Sequence, residues 1–198
     1  TRPLKSPPPG LQTNPIAGVA INMGGQSLLY NDKISIRLLP NSFVFSCLDK
    51  YIGWESYKPE IDKALKIIGN TGQIVKWNRV GLRYITEYLK TDLRNCTKFS
   101  FSFGFQDVQS ISTAFRTEFE YKSAKVILNL NNKIPIVRQQ ATNREPEVIP
   151  TSIIDVDVIR EPLEIEKIDD LAGIIDQVHE IEKEVFFSLL TDDFLKTL

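Results

Sequence analysis

The chain is poor in the residues that most often carry catalytic chemistry. Its 198 residues include one histidine, His179, and two widely separated cysteines, Cys47 and Cys96. Any Ser-His-Asp or Cys-His catalytic arrangement would have to use this one histidine. Two cysteines without a CxxC spacing form neither a disulfide framework nor a structural zinc motif. A phosphate-binding loop of the GxxxxGK type is also missing from the sequence, so we expect no cofactor.

The sequence also lacks a charge excess and any long apolar run. A balance of 24 basic against 25 acidic side chains leaves only local basic patches to attract nucleic acid or an anionic membrane. Membrane-spanning helices need about 20 consecutive apolar residues, and no run here approaches that length. The N-terminus lacks the basic-then-apolar pattern of a secretion signal. We therefore expect a cytoplasmic protein with no membrane contact, and nucleic acid is not the favoured partner.

What is present is a globular composition, with 42% hydrophobic and 25% charged residues. Residues 1–15 are rich in proline and predict an extended arm. Residues 16–198 are expected to form a single α+β domain, with halves 16–90 and 97–198 as a second way to divide it. A strand at Ile16–Ile21 breaks off abruptly, so we expect residues of the natural protein to be missing after Met23.

Hydrophobic periodicity predicts a mostly antiparallel sheet with two main helices. Two related α+β halves sharing one sheet are compatible with this pattern. The helices are expected at Trp54–Gly69 and from about Asp169 to Leu190. The strands are expected at Lys33–Leu39, Ser42–Leu48, Ile74–Tyr88, Phe99–Phe105, Ile111–Tyr121, Lys125–Leu130 and Ser152–Ile159, with a loop at Arg138–Pro150. The residues predicted to lie inside are Val80, Leu82, Tyr84, Phe101 and Phe103.

Two arginines and two aspartates are the candidate polar site. Arg79 and Arg83 lie on either side of Gly81 on the predicted outer face of a strand, and arginine forks suit carboxylate or phosphate partners. The alternative is an internal salt bridge, for example to Glu87. Asp155 and Asp157 project from one strand face about 7 Å apart, close enough to share a divalent ion. The favoured interpretation of these two acids is a solvated or paired face, with a metal site as the alternative.

The tail helix is the candidate association surface. Its apolar seam runs through Leu171, Ile174, Val178, Ile181 and Val185. Further apolar residues, Ile175, Phe186 and Leu189, widen this sector beyond a narrow stripe, and His179 lies beside them. We expect the seam to pack on its own domain. We expect Ile175, His179 and Phe186 to contact a second copy or another protein.

Several segments together resemble a bacterial family. They are Asn14-Pro15-Ile16, Tyr51-Ile52-Gly53-Trp54-Glu55, Arg79-Val80-Gly81-Leu82-Arg83-Tyr84-Ile85, Asp155-Val156-Asp157-Val158 and the tail from His179 to Asp192. The chain resembles a sporadically distributed family of unknown function whose members are longer and usually continue into a helix where Met23 stands here. The family commonly has asparagine where this chain has Thr86. The resemblance implies no catalytic set.

A patchy distribution is typical of mobile genes for antiviral defence or toxin neutralisation. The sequence therefore favours a non-catalytic protein-binding or assembly subunit, with such a system as its setting. The alternatives are a metal-dependent nucleic-acid or nucleotide enzyme that uses Asp155 and Asp157, and a nucleic-acid-binding module that uses Arg79 and Arg83.

Overall fold

A computed structural model of the chain describes residues 26–29, 31–100, 112–138 and 147–197. The fold is α+β with antiparallel sheets. The strands are β1 (Gln26–Leu29), β2 (Ile34–Leu39), β3 (Ser42–Cys47), β4 (Val80–Leu89), β5 (Thr113–Tyr121), β6 (Ala124–Arg138) and β7 (Glu147–Arg160). The helices are α1 (Trp54–Gly69), α2 (Leu93–Cys96), α3 (Ile168–Leu189) and α4 (Asp192–Leu195).

The first of two compact units, Thr1–Ile68, contains a three-stranded sheet in the order β1-β2-β3 and most of α1. The β2–β3 hairpin was predicted from its period-two alternation and is confirmed. Helix α1 has the predicted bounds and contains Pro59. Pro59 cannot donate a backbone hydrogen bond, so burial of one helix face, including Ile61 and Leu65, must stabilise this segment.

The second unit, Gly69–Leu198, is built on a four-stranded sheet in the order β4-β7-β6-β5. All three strand pairs are antiparallel. Strands β6 and β7 extend together past their neighbours, because residues 134–138 pair with residues 147–151. A bulge between Asn131 and Ile134 separates this two-stranded extension from the main sheet.

The core of the second unit lies between one face of this sheet and α3. Ile154, Val156 and Val158 of β7 are completely buried there, as is Val178 of the helix. Each fully buried aliphatic side chain contributes about 1.5–3 kcal/mol relative to exposure. Val80 and Leu82 of β4 pack against the same core but are only half-buried, because β4 lies at the edge of the described sheet.

The division into two compact units falls between Ile68 and Gly69. The described strands form one sheet in each unit. Strand β4 pairs along its whole length with β7, so residues 80–89 belong with the C-terminal sheet.

Several element boundaries differ from the expectations. Residues 74–79 are not part of a strand, apart from an isolated bridge between Trp77 and Ile165. Residues 147–150 are strand where a loop was expected, because they pair with the extended end of β6. The proline-rich arm, the strand at Ile16–Ile21, and Phe101, Phe103 and Phe105 lie outside the described residues. Within the described part of the chain, no helix has both the length and the apolar character needed to cross a membrane.

The β5–β6 hairpin turns through Lys122 and Ser123, whose φ angles are +49° and +60°. Two-residue turns with positive φ at both positions match the twist of a hairpin and favour glycine or asparagine. Non-glycine residues there are strained because the Cβ approaches the carbonyl oxygen. The hairpin therefore forms in spite of its turn residues, driven by the buried Ala124 and Val126 that follow.

We predict that Ser123→Gly stabilises the second unit by about 0.5–1 kcal/mol, since glycine adopts positive φ without strain. The measurement is urea unfolding followed by circular dichroism. Ser123→Ala is the control, because it removes the hydroxyl but keeps the Cβ and so keeps the strain. Equal effects of the two substitutions would contradict the prediction.

Candidate functional site

The sheet face opposite α3 carries most of the candidate polar residues. Directly paired residues of antiparallel strands share a face, so the strand registers define it. From β4 to β5 it presents Gly81, Arg83, Ile85, Glu87, Asp155, Asp157, Asn129, Arg116 and Glu118. We call this surface the outer face. It brings Arg83, Asp155 and Asp157 together, a combination that the sequence analysis did not propose.

Asp155 is the centre of the polar contacts on the outer face. Arg83 donates two hydrogen bonds to it, Nε to Oδ1 at 2.7 Å and Nη2 to Oδ2 at 2.8 Å. Asn129 on the other neighbouring strand donates from Nδ2 to Oδ2 at 2.9 Å. Asp155 is only 6% exposed, so it is a paired and buried group rather than a solvated one.

The contacts continue across the sheet to β5. Arg116 donates from Nη1 to Oδ1 of Asn129 at 3.1 Å and from Nη2 to Oε1 of Glu118 at 2.7 Å. Lys125 lies 2.7 Å from the other oxygen of Glu118. The cationic groups of this part of the outer face are thus held by acceptors of the same face, which fixes their positions.

Arg79 and Glu87 have partners other than those suggested by the sequence. Arg79 precedes the first residue of β4, and its Nε lies 3.5 Å from Oε2 of Glu161. Glu87 accepts from Arg138 on the β6–β7 extension rather than from Arg83. Both arginines therefore form internal salt bridges. The partner of Arg83 is Asp155 on the adjacent strand β7, not the Glu87 suggested from the sequence.

Asp157 is a carboxylate of the outer face whose pKa is shifted by its surroundings. Burial raises the pKa of this half-buried group above its ordinary value. The positive charges of Arg83 and Arg79 oppose that rise, while the charge of Asp155 adds to it. Gly81 stands beside it, and a Cβ built at Gly81 would approach Asp157 Oδ1 to 3.9 Å. A Cβ at this position would therefore make an ordinary van der Waals contact with the carboxylate, so no close contact requires glycine here.

The hydrogen bonds of Asp155 bear directly on the metal-site alternative. Both oxygens of Asp155 already accept hydrogen bonds from Arg83 and Asn129. Among the described residues, no group of three or more His, Cys, Asp or Glu side chains is placed to hold an ion. A cation bound between Asp155 and Asp157 would have to displace the guanidinium of Arg83.

The tail helix α3 has nearly the predicted bounds, but its flanking residues do not form an exposed surface. Ile175 and His179 are buried, and Phe186 packs against the core of its own unit. The ring of His179 lies 6.0 Å from that of Tyr84 on β4. The end of the helix is covered from another side, because Thr97 bridges Leu190. Two neighbours within the unit thus cover the wide apolar sector that suggested an external partner.

Glu182 is a perturbed residue that the sequence reasoning missed. It belongs to the buried side of α3, one turn before Val185, and is 4% exposed. Burial raises its pKa to about 7. The sequence signal that could have identified Glu182 is its spacing. It follows Val178 of the seam by four residues and so lies on the same face of the helix.

A polar network around the β6 bulge was also missed. Asn132 accepts from the backbone N–H of Leu93 at 2.8 Å and donates to Asp92 at 3.1 Å. Ser152 accepts from the backbone N–H of Lys133 at 2.9 Å and donates to the Thr91 carbonyl at 2.6 Å. Hydrogen bonds from Arg94 hold the pKa of Asp92 well below its usual range. These contacts join the bulge to the start of α2, so the network positions this part of the chain.

Comparison with protein-family models, curated proteins and solved structures gives no match.

We predict that Asp155→Asn lowers the free energy of unfolding by about 1–3 kcal/mol, because it weakens the acceptor of the Arg83 fork and of Asn129. Its cost is expected to shrink in an Arg83→Gln background, since the partner is then already gone. Asp193→Asn, an exposed acid paired with Lys196, is the control and should change stability by no more than about 0.5 kcal/mol. Additive losses in the double variant would contradict a direct interaction.

We predict that Glu182 makes stability fall as the pH rises through about 7. Its raised pKa means that the folded protein retains a proton which the unfolded chain has lost, so the contribution is complete below about 4.5 and lost above about 7. Glu182→Gln should therefore be more stable than the parent at pH 8, by on the order of 3 kcal/mol, and similar to it at pH 4. Unfolding curves across this range test it against Glu180→Gln, an exposed acid of the same helix.

Proposed function

We propose that this chain is a non-catalytic protein-binding or assembly subunit, and that its contact surface is the outer face along β4 rather than the tail helix. The observation that carries the proposal is the exposure of Ile85 and Leu89, whose side chains are 56% and 51% exposed on that face. Arg83 and Glu87 alternate with them. Exposed apolar side chains interspersed with arginine are typical of protein contact surfaces.

The pairing of the charged groups supports a binding role over catalysis. Arg83 is held by Asp155, and Arg116 by Glu118, so these groups fix one another's positions. The one histidine is buried beside Tyr84 on the other face of the sheet. The resemblance to a patchily distributed bacterial family supports a setting in antiviral defence or toxin neutralisation.

One observation favours the alternative, a metal-dependent nucleic-acid or nucleotide enzyme. Asp157 is half-buried with a raised pKa, and perturbed carboxylates cluster at active sites. Its neighbour Asp155 is committed to Arg83 and Asn129. A nucleic-acid module using Arg79 and Arg83 has the weaker support, because both arginines have acidic partners.

The test is affinity purification of the tagged chain from its native host, with the protein stoichiometry read by native mass spectrometry. We expect a stoichiometric protein partner, which can be another copy of the chain. That partner should be lost with Ile85→Asp and kept with Val75→Asp, a substitution at a residue that is 84% exposed. The absorbance ratio of the same sample and equilibrium dialysis against Mn²⁺ test the alternatives. Mn²⁺ binding that disappears with Asp157→Asn, without a protein partner, would overturn the proposal in favour of a metal site.

A further inference from the structure

Strand β4 is a long, regular edge strand. It has ten residues, and among the described strands its one neighbour is β7. The β4–β7 register runs without a shift from Val80 to Leu89. Edge strands present a row of backbone N–H and C=O groups that can pair with another chain. The geometry of β4 is therefore suitable for the addition of a further strand.

Several of the usual protections of an edge are missing from β4 itself, although it carries the charged residues Arg83 and Glu87. Proteins discourage edge pairing with prolines, bulges, very short strands or lysines on the edge. Between Val80 and Leu89 the sequence contains neither proline nor lysine, and the pairing with β7 has no bulge. The exposed side chains of Ile85 and Leu89 give this edge strand apolar surface that pairing with another strand would bury.

The charges of β4 are symmetric about its middle. Arg83 precedes Ile85 by two residues, and Glu87 follows it by two. In an antiparallel pair of two identical strands with Ile85 on the two-fold axis, each Arg83 lies directly opposite the other copy's Glu87. Opposite charges in direct cross-strand pairs are favourable and like charges are unfavourable. Strand β4 is thus complementary to itself in this one alignment.

We propose that a second copy of this chain pairs with β4, antiparallel and edge to edge, with Ile85 at the two-fold axis and Arg83 of each copy opposite Glu87 of the other. This inference rests on the proposed protein-binding function and names its partner. The two four-stranded sheets then form one continuous sheet, and because the axis is perpendicular to the sheet, both copies of α3 lie on the same side.

Neighbouring alignments are less favourable. Moving the axis to Tyr84 places Arg83 opposite Ile85, and moving it to Thr86 places Arg83 opposite Leu89. Both put the guanidinium against an apolar side chain and separate it from Glu87. The charges therefore select the alignment centred on Ile85.

Arg83 and Glu87 can each form a further hydrogen bond with the second copy in addition to their internal contacts. Arg83 donates to Asp155 from Nε and Nη2, and its guanidinium carries further N–H groups on Nη1. Glu87 receives Arg138 on Oε2, and a carboxylate accepts through both oxygens. The internal contacts hold both side chains in place, which reduces the entropy lost when the two copies meet.

A cysteine at the axis tests the alignment directly. In the proposed pair, the two Cα atoms of residue 85 are about 4.5–5.5 Å apart, within the range of a disulfide. We expect Ile85→Cys to form a disulfide-linked dimer under mild oxidation. The matched control is Phe119→Cys on β5, the opposite edge strand, where an exposed cysteine should stay uncrosslinked. The parent, with Cys47 and Cys96, gives the background.

The second measurement is the mass of the purified protein by light scattering at about 100 μM, where a contact with a Kd near 10 μM is largely formed. We expect twice the 22.6 kDa of one chain. Ile85→Lys places two like charges together at the axis, so it should weaken association at least about tenfold, while Val75→Lys should keep the dimer. Circular dichroism verifies that each variant is folded.

Each outcome separates this inference from the proposed function. A folded Ile85→Lys variant that remains dimeric, or a dimer whose Ile85→Cys form does not crosslink, would overturn the β4 pairing. A monomer that binds a different protein through Ile85 would overturn the second copy as partner and leave the protein-binding function standing. A monomer that captures no protein in the affinity experiment would overturn both.

Discussion

The pairing of β7 with a strand on each side is the interaction on which the second unit depends. Three of its even-numbered side chains, Ile154, Val156 and Val158, are completely buried under α3, while Asp155 projects to the other face. A slip of one residue would turn Asp155 into the apolar layer and the valines outward. Arg83 reaches Asp155 from β4, and Asn129 reaches it from β6. One carboxylate therefore holds both neighbouring strands in register.

This central position of β7 also decides which surfaces remain for other molecules. Its two neighbours satisfy its own backbone, so the sheet can grow only at β4 and β5 among the described strands. Helix α3 covers β4 and β7 on one face, and the segment that bridges Thr97 to Leu190 covers the end of the helix. The apolar width of the tail helix is used inside the unit. Exposed apolar side chains of the sheet include Ile85 and Leu89 on β4, Phe119 on β5, and the paired Val137 and Val148 on the β6–β7 extension.

Periodicity alone was sufficient to predict the fold class and several elements. The bounds of α1 and, within one residue, of α3 follow from spacings of three and four, and the β5–β6 hairpin from alternation. The partner of Arg83 was beyond this reasoning, because Asp155 is 72 positions away and is identified only once β4 is placed beside β7. The bulge network at Asn132 needed the same tertiary information. The burial of Ile175 and His179 was beyond this reasoning for a similar cause, since the width of an apolar sector does not reveal how many neighbours within the unit cover it.

The balanced charge of the chain becomes informative once the contacts of its arginines are known. Arg83 and Arg116 are bound by carboxylates or amides of the same face, so they create little net potential to attract a polyanion from a distance. Such side chains remain useful at short range. The buried Asp155 fixes the guanidinium of Arg83 beside the exposed Ile85, so less rotamer entropy is lost when a partner arrives. This prearrangement of an arginine next to an aliphatic side chain is the physical basis of the proposed preference for a protein surface with a well-placed acid over the repeated charge of nucleic acid.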